Sequence, residues 1–377
     1  MKKLLIITRW YLPAVKSGGT VRSITALVNG LKDEFSINIL TSDRDLGSTE
    51  PYENIEFDTL TKHNGTPIVY LSQLNIKNIK KYIELINPDI IYINSFFDIT
   101  TQVMMFLKLR GEIKAEIILA PRGELAKGAL SIKANKKRVY LFLYKLFNLS
   151  KGITFHATSP EDALDIKNNF PNNKVEIIQN PKEENRVHYT LPIKEKNSLK
   201  MVFISRIAPV KNLLYALKIL EKIEINGFLT FDIYGPDEDK NYWNACQEVI
   251  AKLPSNIEIN YKGFVHPSEI SATLSKYHLF FLPTKGENFG HAIVEAMQVG
   301  LIPLISNKTP WQNLETINAG FSLSLENNTS SFTNAIIKVL EMENKSFMVC
   351  STNVKSYIAE KINSKKNIES YIKFFGK

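Results

Sequence analysis

The chain has 377 residues, more than one ordinary core serves, so two domains of roughly 150–200 residues each are expected. Hydrophobic residues at 44% and charged residues at 23% are the proportions of a soluble globular protein, and no apolar run approaches the roughly 18 residues of a spanning helix. Two distant cysteines, Cys246 and Cys350, exclude a disulfide framework and a cysteine zinc site, while a formal charge of +9 leaves nucleic acid, anionic lipid or a phosphorylated partner open.

The first element is an apolar run, Leu4–Ile7, too short for a signal peptide and read as a buried strand. Gly18-Gly19 follows, a loop that lets backbone approach a phosphate closely, or else a plain turn. It leads into a helical pattern over Val21–Glu34. Strands are then expected at Ile37–Leu40, Ile68–Leu71, Asp89–Ile93, Ile117–Leu119, Ile153–Ala157 and Val175–Ile178, with a helix at Lys77–Ile86. Arg122 lies just past the strand Ile117–Leu119, in P-R-G-E-L. Residues 182–199 break the alternation with charge and Pro192 and read as the interdomain linker.

In the second half Met201–Ser205, Leu229–Tyr234, Ile257–Tyr261, Leu279–Leu282 and Leu301–Ile305 are strands, again separated by helices. Alternating strand and helix predicts α/β domains with parallel, doubly wound sheets. An apolar stripe of Ile358, Ile362, Ile368, Ile372 and Phe375 marks Asn353–Phe375 as helical.

Two segments carry chemistry. The first, F-I-S-R-I-A-P-V-K-N-L, puts Arg206 and Lys211 after a strand, where loops of an α/β domain face the ligand crevice. Alone, a basic pair at such a place is more often solvated. The second, E-N-F-G-H-A-I-V-E, sets Glu287 and Glu295 on either side of a turn, Asn288-Phe289-Gly290, that opens a helix over about 291–299 ending at Gly300. Unpaired N–H groups at that N-terminus suit a phosphate. Glu295 falls on the apolar stripe with Ala292, Ala296 and Val299. It is either a satisfied core carboxylate or one that receives ligand hydroxyls. Glu287 either complements the helix dipole or faces the other end of the same ligand.

The second segment resembles the E-x-F-G-x-x-x-x-E element of the retaining glycosyltransferases of family 4, and the first resembles their R-x-x-x-x-K element, with Ser205 where a Gly is usual. The resemblance implies a GT-B fold: two Rossmann-like domains, with parallel doubly wound sheets, facing across a cleft. It implies an acceptor-binding domain over 1–190, a donor-binding domain over 191–352, and a C-terminal helix over 353–377 that packs back on the first. It further implies a hexosyltransferase acting on a nucleotide-diphosphate sugar, in bacterial surface polysaccharide assembly (lipopolysaccharide O-antigen or capsule), with a lipid-linked saccharide acceptor. Glu287 would contact the donor sugar and Glu295 the donor ribose. Arg206, Lys211 and the N–H groups of Asn288, Phe289 and Gly290 would hold the phosphates, approached from Gly18 and Gly19. No metal or other cofactor is implied. Arg122 stands where many members carry a cleft histidine, and Tyr92 and Asn94 stand in place of the common H-x-H.

Neither half shows G-x-G-x-x-G after its first strand, against a nicotinamide-dependent oxidoreductase. A sugar-nucleotide epimerase of similar fold and a non-catalytic phosphate- or nucleic-acid-binding module are the alternatives, the latter without aromatic-rich basic stripes. The expected location is the cytoplasm, peripheral on the inner face of the cytoplasmic membrane. Between 121 and 151 Glu124 is the single acid among many Lys and Arg, and Lys133, Lys136, Lys137, Arg138 and Lys145 accompany Leu141, Phe142, Tyr144, Leu146 and Phe147. That pattern is a core helix with a solvated face, or one that lies on anionic lipid.

Overall fold

A computed structural model describes residues 1–131, 134–181, 189–237, 239–326 and 329–377. Lys133 and residues 182–188 of the expected linker lie outside the described residues. The chain forms two compact units, Met1–Glu183 with Asn363–Lys377, and Glu184–Ile362.

In the first unit the strands are β1 (Lys3–Ile7), β2 (Ser36–Ser42), β3 (Leu60–His63), β4 (Thr66–Leu71), β5 (Ile90–Asn94), β6 (Glu116–Ala120), β7 (Ile153–Ala157) and β8 (Val175–Ile177). Their order is β3-β4-β2-β1-β5-β6-β7-β8, parallel except for the β3–β4 pair. Leu4–Ile7 are fully buried, as strands covered on both faces require. The chain leaves β1 toward β2 on one side and returns to β5 on the other, so the sheet's order reverses between β1 and β5.

The second unit holds β9 (Ser198–Ile204), β10 (Phe228–Tyr234), β11 (Ile257–Gly263), β12 (Leu279–Leu282), β13 (Ile302–Ser306) and β14 (Phe321–Leu323). The order is β11-β10-β9-β12-β13-β14, all parallel, and here the reversal falls between β9 and β12. Every strand expected from the sequence is present. β3 and β14 are additional: both are short edge strands without a buried apolar run.

Two expectations need correction. The expected linker, 182–199, extends too far: Leu191 and Lys194 are buried in the second unit, and Ser198 already begins β9. The Lys194 ammonium donates to Leu340 O at 2.9 Å and Met342 O at 3.2 Å, at the carbonyl end of helix Ser330–Leu340, which favours a cation. The C-terminal stripe is two helices rather than one. Helix Asn344–Lys361 belongs to the second unit and helix Ser364–Gly376 to the first. Ile362 turns extended, and the Asn363 side chain accepts from Lys366 N to start the new helix. In the first unit Ile368 packs so close to Gly30 that a Cβ there would lie 2.3 Å from its Cδ1.

Candidate functional site

Two loops meet at the reversal point of the second sheet. The loop after β9 carries Arg206 and Lys211, and that after β12 carries Glu287. Three contacts stitch them: Lys285 N donates to Val210 O at 2.8 Å, Thr284 Oγ1 to Val210 O at 3.1 Å, and Asn212 Nδ2 to Pro283 O at 3.0 Å. Held this way, the Lys211 ammonium pairs directly with the Glu287 carboxylate. Both side chains are largely shielded, at 15% and 14% exposure, so the pair sits where charge interactions outlast salt screening. Arg206 is exposed on the same loop. The crevice outside the carboxyl ends of the strands, at a reversal point, is where open α/β sheets bind ligands.

The strand ends approach closely here. Gly235, after β10, has φ +138°, and a Cβ on it would lie 1.9 Å from Ser205 O. No other residue fits.

The turn after Glu287 is fixed from both ends. Glu287 N donates to Lys308 O at 2.9 Å. Gly290 takes a left-handed conformation, φ +75°, and opens helix His291–Val299, which no side chain caps. The helix stops at a left-handed Gly300, at the bounds read from the sequence. Phe289 is buried, and Trp311 beneath it donates from Nε1 to Phe289 O at 2.7 Å with the rings edge-on at 5.6 Å. Trp311 therefore positions the turn from inside the core. Glu295, at 7% exposure, is buried one helical turn further on.

In the first unit Gly18 (φ +58°) opens helix Gly19–Leu31, again with no side-chain cap. Asp45 gathers the preceding loop, accepting from Val15 N at 2.8 Å, Lys16 N at 3.0 Å and Ser17 Oγ at 3.2 Å. No motif marks Asp45 in the sequence. Arg122, also left-handed (φ +57°), donates from Nε to Asn94 Oδ1 at 3.0 Å and from Nη2 to the same oxygen at 2.7 Å. It also donates to Asn180 Oδ1 and, at 3.1 Å, to the Tyr92 hydroxyl. His156 is fully buried beside Tyr92, and burial first, then Arg122, pushes its imidazole down to about 3. It is a neutral core histidine.

Helix Ala134–Leu146 is apolar on two faces. Tyr144 is buried and Tyr140 and Leu141 pack beside the core, whereas Val139, Phe142, Leu143, Leu146 and Phe147 are exposed at 59, 64, 42, 62 and 56%. Tyr144 and Leu141 thus leave the outward stripe expected from the sequence, and Val139 and Leu143 enter it. Lys137 turns inward to Ala129 O at 2.6 Å and to the Phe97 ring. Among the described residues no helix is long and apolar enough to cross a membrane.

Residues 190–356 match the family model described as glycosyl transferases group 1, a match that covers most of the second unit and supports that family. An "uncharacterized 41.2 kDa protein in cps region" of Klebsiella pneumoniae is 21% identical over 84% of the chain and 86% of its own length. Among solved structures, sucrose-phosphate synthase from Thermosynechococcus elongatus superposes with TM-score 0.76 at 14% identity, over 100% of this chain and 98% of that one. Anabaena Alr3699/HepE, solved with UDP and glucose, gives 0.73 at 14% identity over the whole of both chains. These likenesses show the GT-B fold.

Proposed function

We propose that the chain is a group 1 glycosyltransferase that moves a hexosyl group from a nucleotide-diphosphate sugar to an acceptor hydroxyl, retaining the anomeric configuration. The observation that carries this is the Lys211–Glu287 pair, held at the sheet's reversal point beside an uncapped helix opened by Gly290. The diphosphate sits against Arg206, Lys211 and the N–H groups of Asn288, Phe289 and Gly290, with Lys211 shared between its oxygens and Glu287. Glu287 contacts the sugar and Glu295 the ribose. As the bond to the sugar breaks, negative charge grows on the leaving β-phosphate, and donors already in place stabilise it without reorganising. A β-phosphate oxygen accepts the acceptor's proton in a same-face step. No metal or other cofactor enters this scheme.

The match over residues 190–356 and the UDP and glucose in the Anabaena structure support a nucleotide-sugar donor. The cps-region relative supports surface polysaccharide assembly, with the first unit binding a lipid-linked saccharide and Gly18, Gly19 and Arg122 on that side. A panel of nucleotide-diphosphate sugars is expected to contain one that raises the melting temperature, since a ligand of the native state alone stabilises it by mass action. With that donor, NMR couplings at the new linkage are expected to show the donor's anomeric configuration. An inverted product would rule out the retaining assignment.

The first unit is proposed to dock on the cytoplasmic face of an anionic membrane through the exposed stripe of helix Ala134–Leu146, flanked by Lys136, Arg138 and Lys145. Each cation near such a surface contributes about 1 kcal/mol, and the five apolar side chains insert beside them. The protein is expected to sediment with phosphatidylglycerol vesicles at low salt and less at high salt. Pelleting that survives both Phe142→Glu and charge reversal at Lys136, Arg138 and Lys145 would show that this helix is not the docking surface.

A further inference from the structure

Arg122 is half-buried, yet every group it bonds to among the described residues is uncharged. A guanidinium carries five N–H donors. Four are taken, by Asn94 twice, Asn180 and Tyr92. The acids nearby are turned elsewhere. Asp162 accepts from Gly123 N at 3.2 Å and from Thr158 N at 2.9 Å. Glu124 spends its oxygens on Ser95, Phe96 and Phe97. Among the described residues, therefore, no carboxylate bonds the cation and one of its N–H groups has no acceptor.

Asn94 supplies a second, independent sign. It is 1% exposed, its Oδ1 is occupied by Arg122, and its Nδ2 meets no acceptor among the described residues. A buried donor left unmade is costly, and native structures rarely keep one without a use. The backbone is unusual at the same place. Ser95 (φ +82°), Arg122 (φ +57°) and Gly123 (φ +79°) are all left-handed, at the carboxyl ends of β5 and β6. Strain of that kind collects at binding sites. A structural clamp joining Asn94 to Asn180 would account for the four hydrogen bonds. It would not account for a guanidinium that no carboxylate among the described residues hydrogen-bonds, beside an orphan amide donor.

We propose that Arg122 and Asn94 form an oxyanion site that takes a phosphate or carboxylate group of the acceptor. The anion reaches the exposed side of Arg122, and the Asn94 amide completes its shell. Tyr92, whose hydroxyl lies 2.8 Å from His156 Nδ1, holds the guanidinium in place without adding a second charge. Assigning the anion to the acceptor rests on the glycosyltransferase reading, while the site itself rests on the side chains alone.

Asn94→Asp tests it with little change of shape. The carboxylate keeps the Arg122 contacts and replaces the idle amide, so the protein is expected to melt at or above the parent temperature while anion binding is lost. Arg122→Gln is the second variant. Both are made in a full-length Arg206→Ala/Lys211→Ala background, which removes the two cations proposed to hold the donor diphosphate. Methyl phosphate and glucuronate are titrated separately by ligand-observed NMR, and the anion that binds tells an ester phosphate from an acidic sugar. Affinity is expected to fall at least about tenfold in each variant, as for a lost charge-assisted contact. Binding of either anion that is unchanged in Asn94→Asp and Arg122→Gln, or no binding of both by the parent, overturns the site. Nucleotide binding, measured on the wild-type chain, reports separately on the glycosyltransferase reading.

Discussion

Replacing Arg206 or Lys211 by Ala is expected to remove about 2–4 kcal/mol of transition-state stabilisation, roughly a 30- to 10³-fold loss in kcat. The two act on one leaving group, so the double variant should lose less than the sum of the singles. Their ground-state effects differ, because Lys211 is shielded and paired with Glu287 whereas Arg206 is exposed. Losing it leaves Glu287 shielded and unpaired, which raises the cost of bringing a diphosphate beside that carboxylate. Lys211→Ala is therefore expected to raise KM as well as lower kcat, whereas exposed Arg206→Ala lowers kcat chiefly. Glu295→Ala should act mainly on nucleotide affinity. Steady-state kinetics on the donor found by thermal shift make the comparison. A double variant that turns over at the wild-type rate would remove these residues from the chemistry.

The sequence was most legible where one local force decides the structure. Leu279–Leu282 and Ile153–Ala157 are strands at the bounds expected, because unbroken apolar runs have nowhere to go but a sheet covered on both faces. Helix His291–Val299 was equally plain, since Gly290 and Gly300 punctuate it. β3 was missed although Asn64-Gly65, both with positive φ, mark the hairpin turn to β4. Leu60 is its single apolar residue and is exposed, and periodicity alone does not register such an edge strand.

Tertiary contacts were not legible. The two faces of helix Ala134–Leu146 are both apolar, so only packing decides that Tyr144 goes inward and Phe142 outward. Asn94 entered the sequence reading only as a departure from a family pattern. Its significance comes from Arg122, 28 positions away, and from an amide that burial leaves idle. Ionic contacts followed the same rule. The family resemblance assigned Lys211 and Glu287 to one donor, but the pairing depends on stitches made by Thr284, Asn212 and the Lys285 backbone, which no spacing encodes.

Trp311→Ala is expected to cost about 3–5 kcal/mol of stability, the range for deleting a large buried aromatic side chain. The indole is 2% exposed and fills space under the turn, so its loss leaves a cavity and frees the Phe289 ring that packs on it. Trp311→Phe separates the two roles of the residue. It keeps most of the packing and removes the N–H that Phe289 O receives at 2.7 Å. A buried carbonyl left without its donor costs about 1–3 kcal/mol, so the melting temperature should fall, though less than for Ala. The more telling readout is the nucleotide. Phe289 O belongs to the residue before Gly290, whose left-handed conformation aims the first turn of helix His291–Val299. If the turn binds phosphate through those N–H groups, loosening it must weaken diphosphate binding even in protein that is still folded. Trp311→Phe is therefore expected to lower nucleotide affinity at a temperature where its circular dichroism matches the wild type. An affinity that stays at the wild-type value while stability drops would make Trp311 a core residue only, and would take the turn N–H groups out of the donor site.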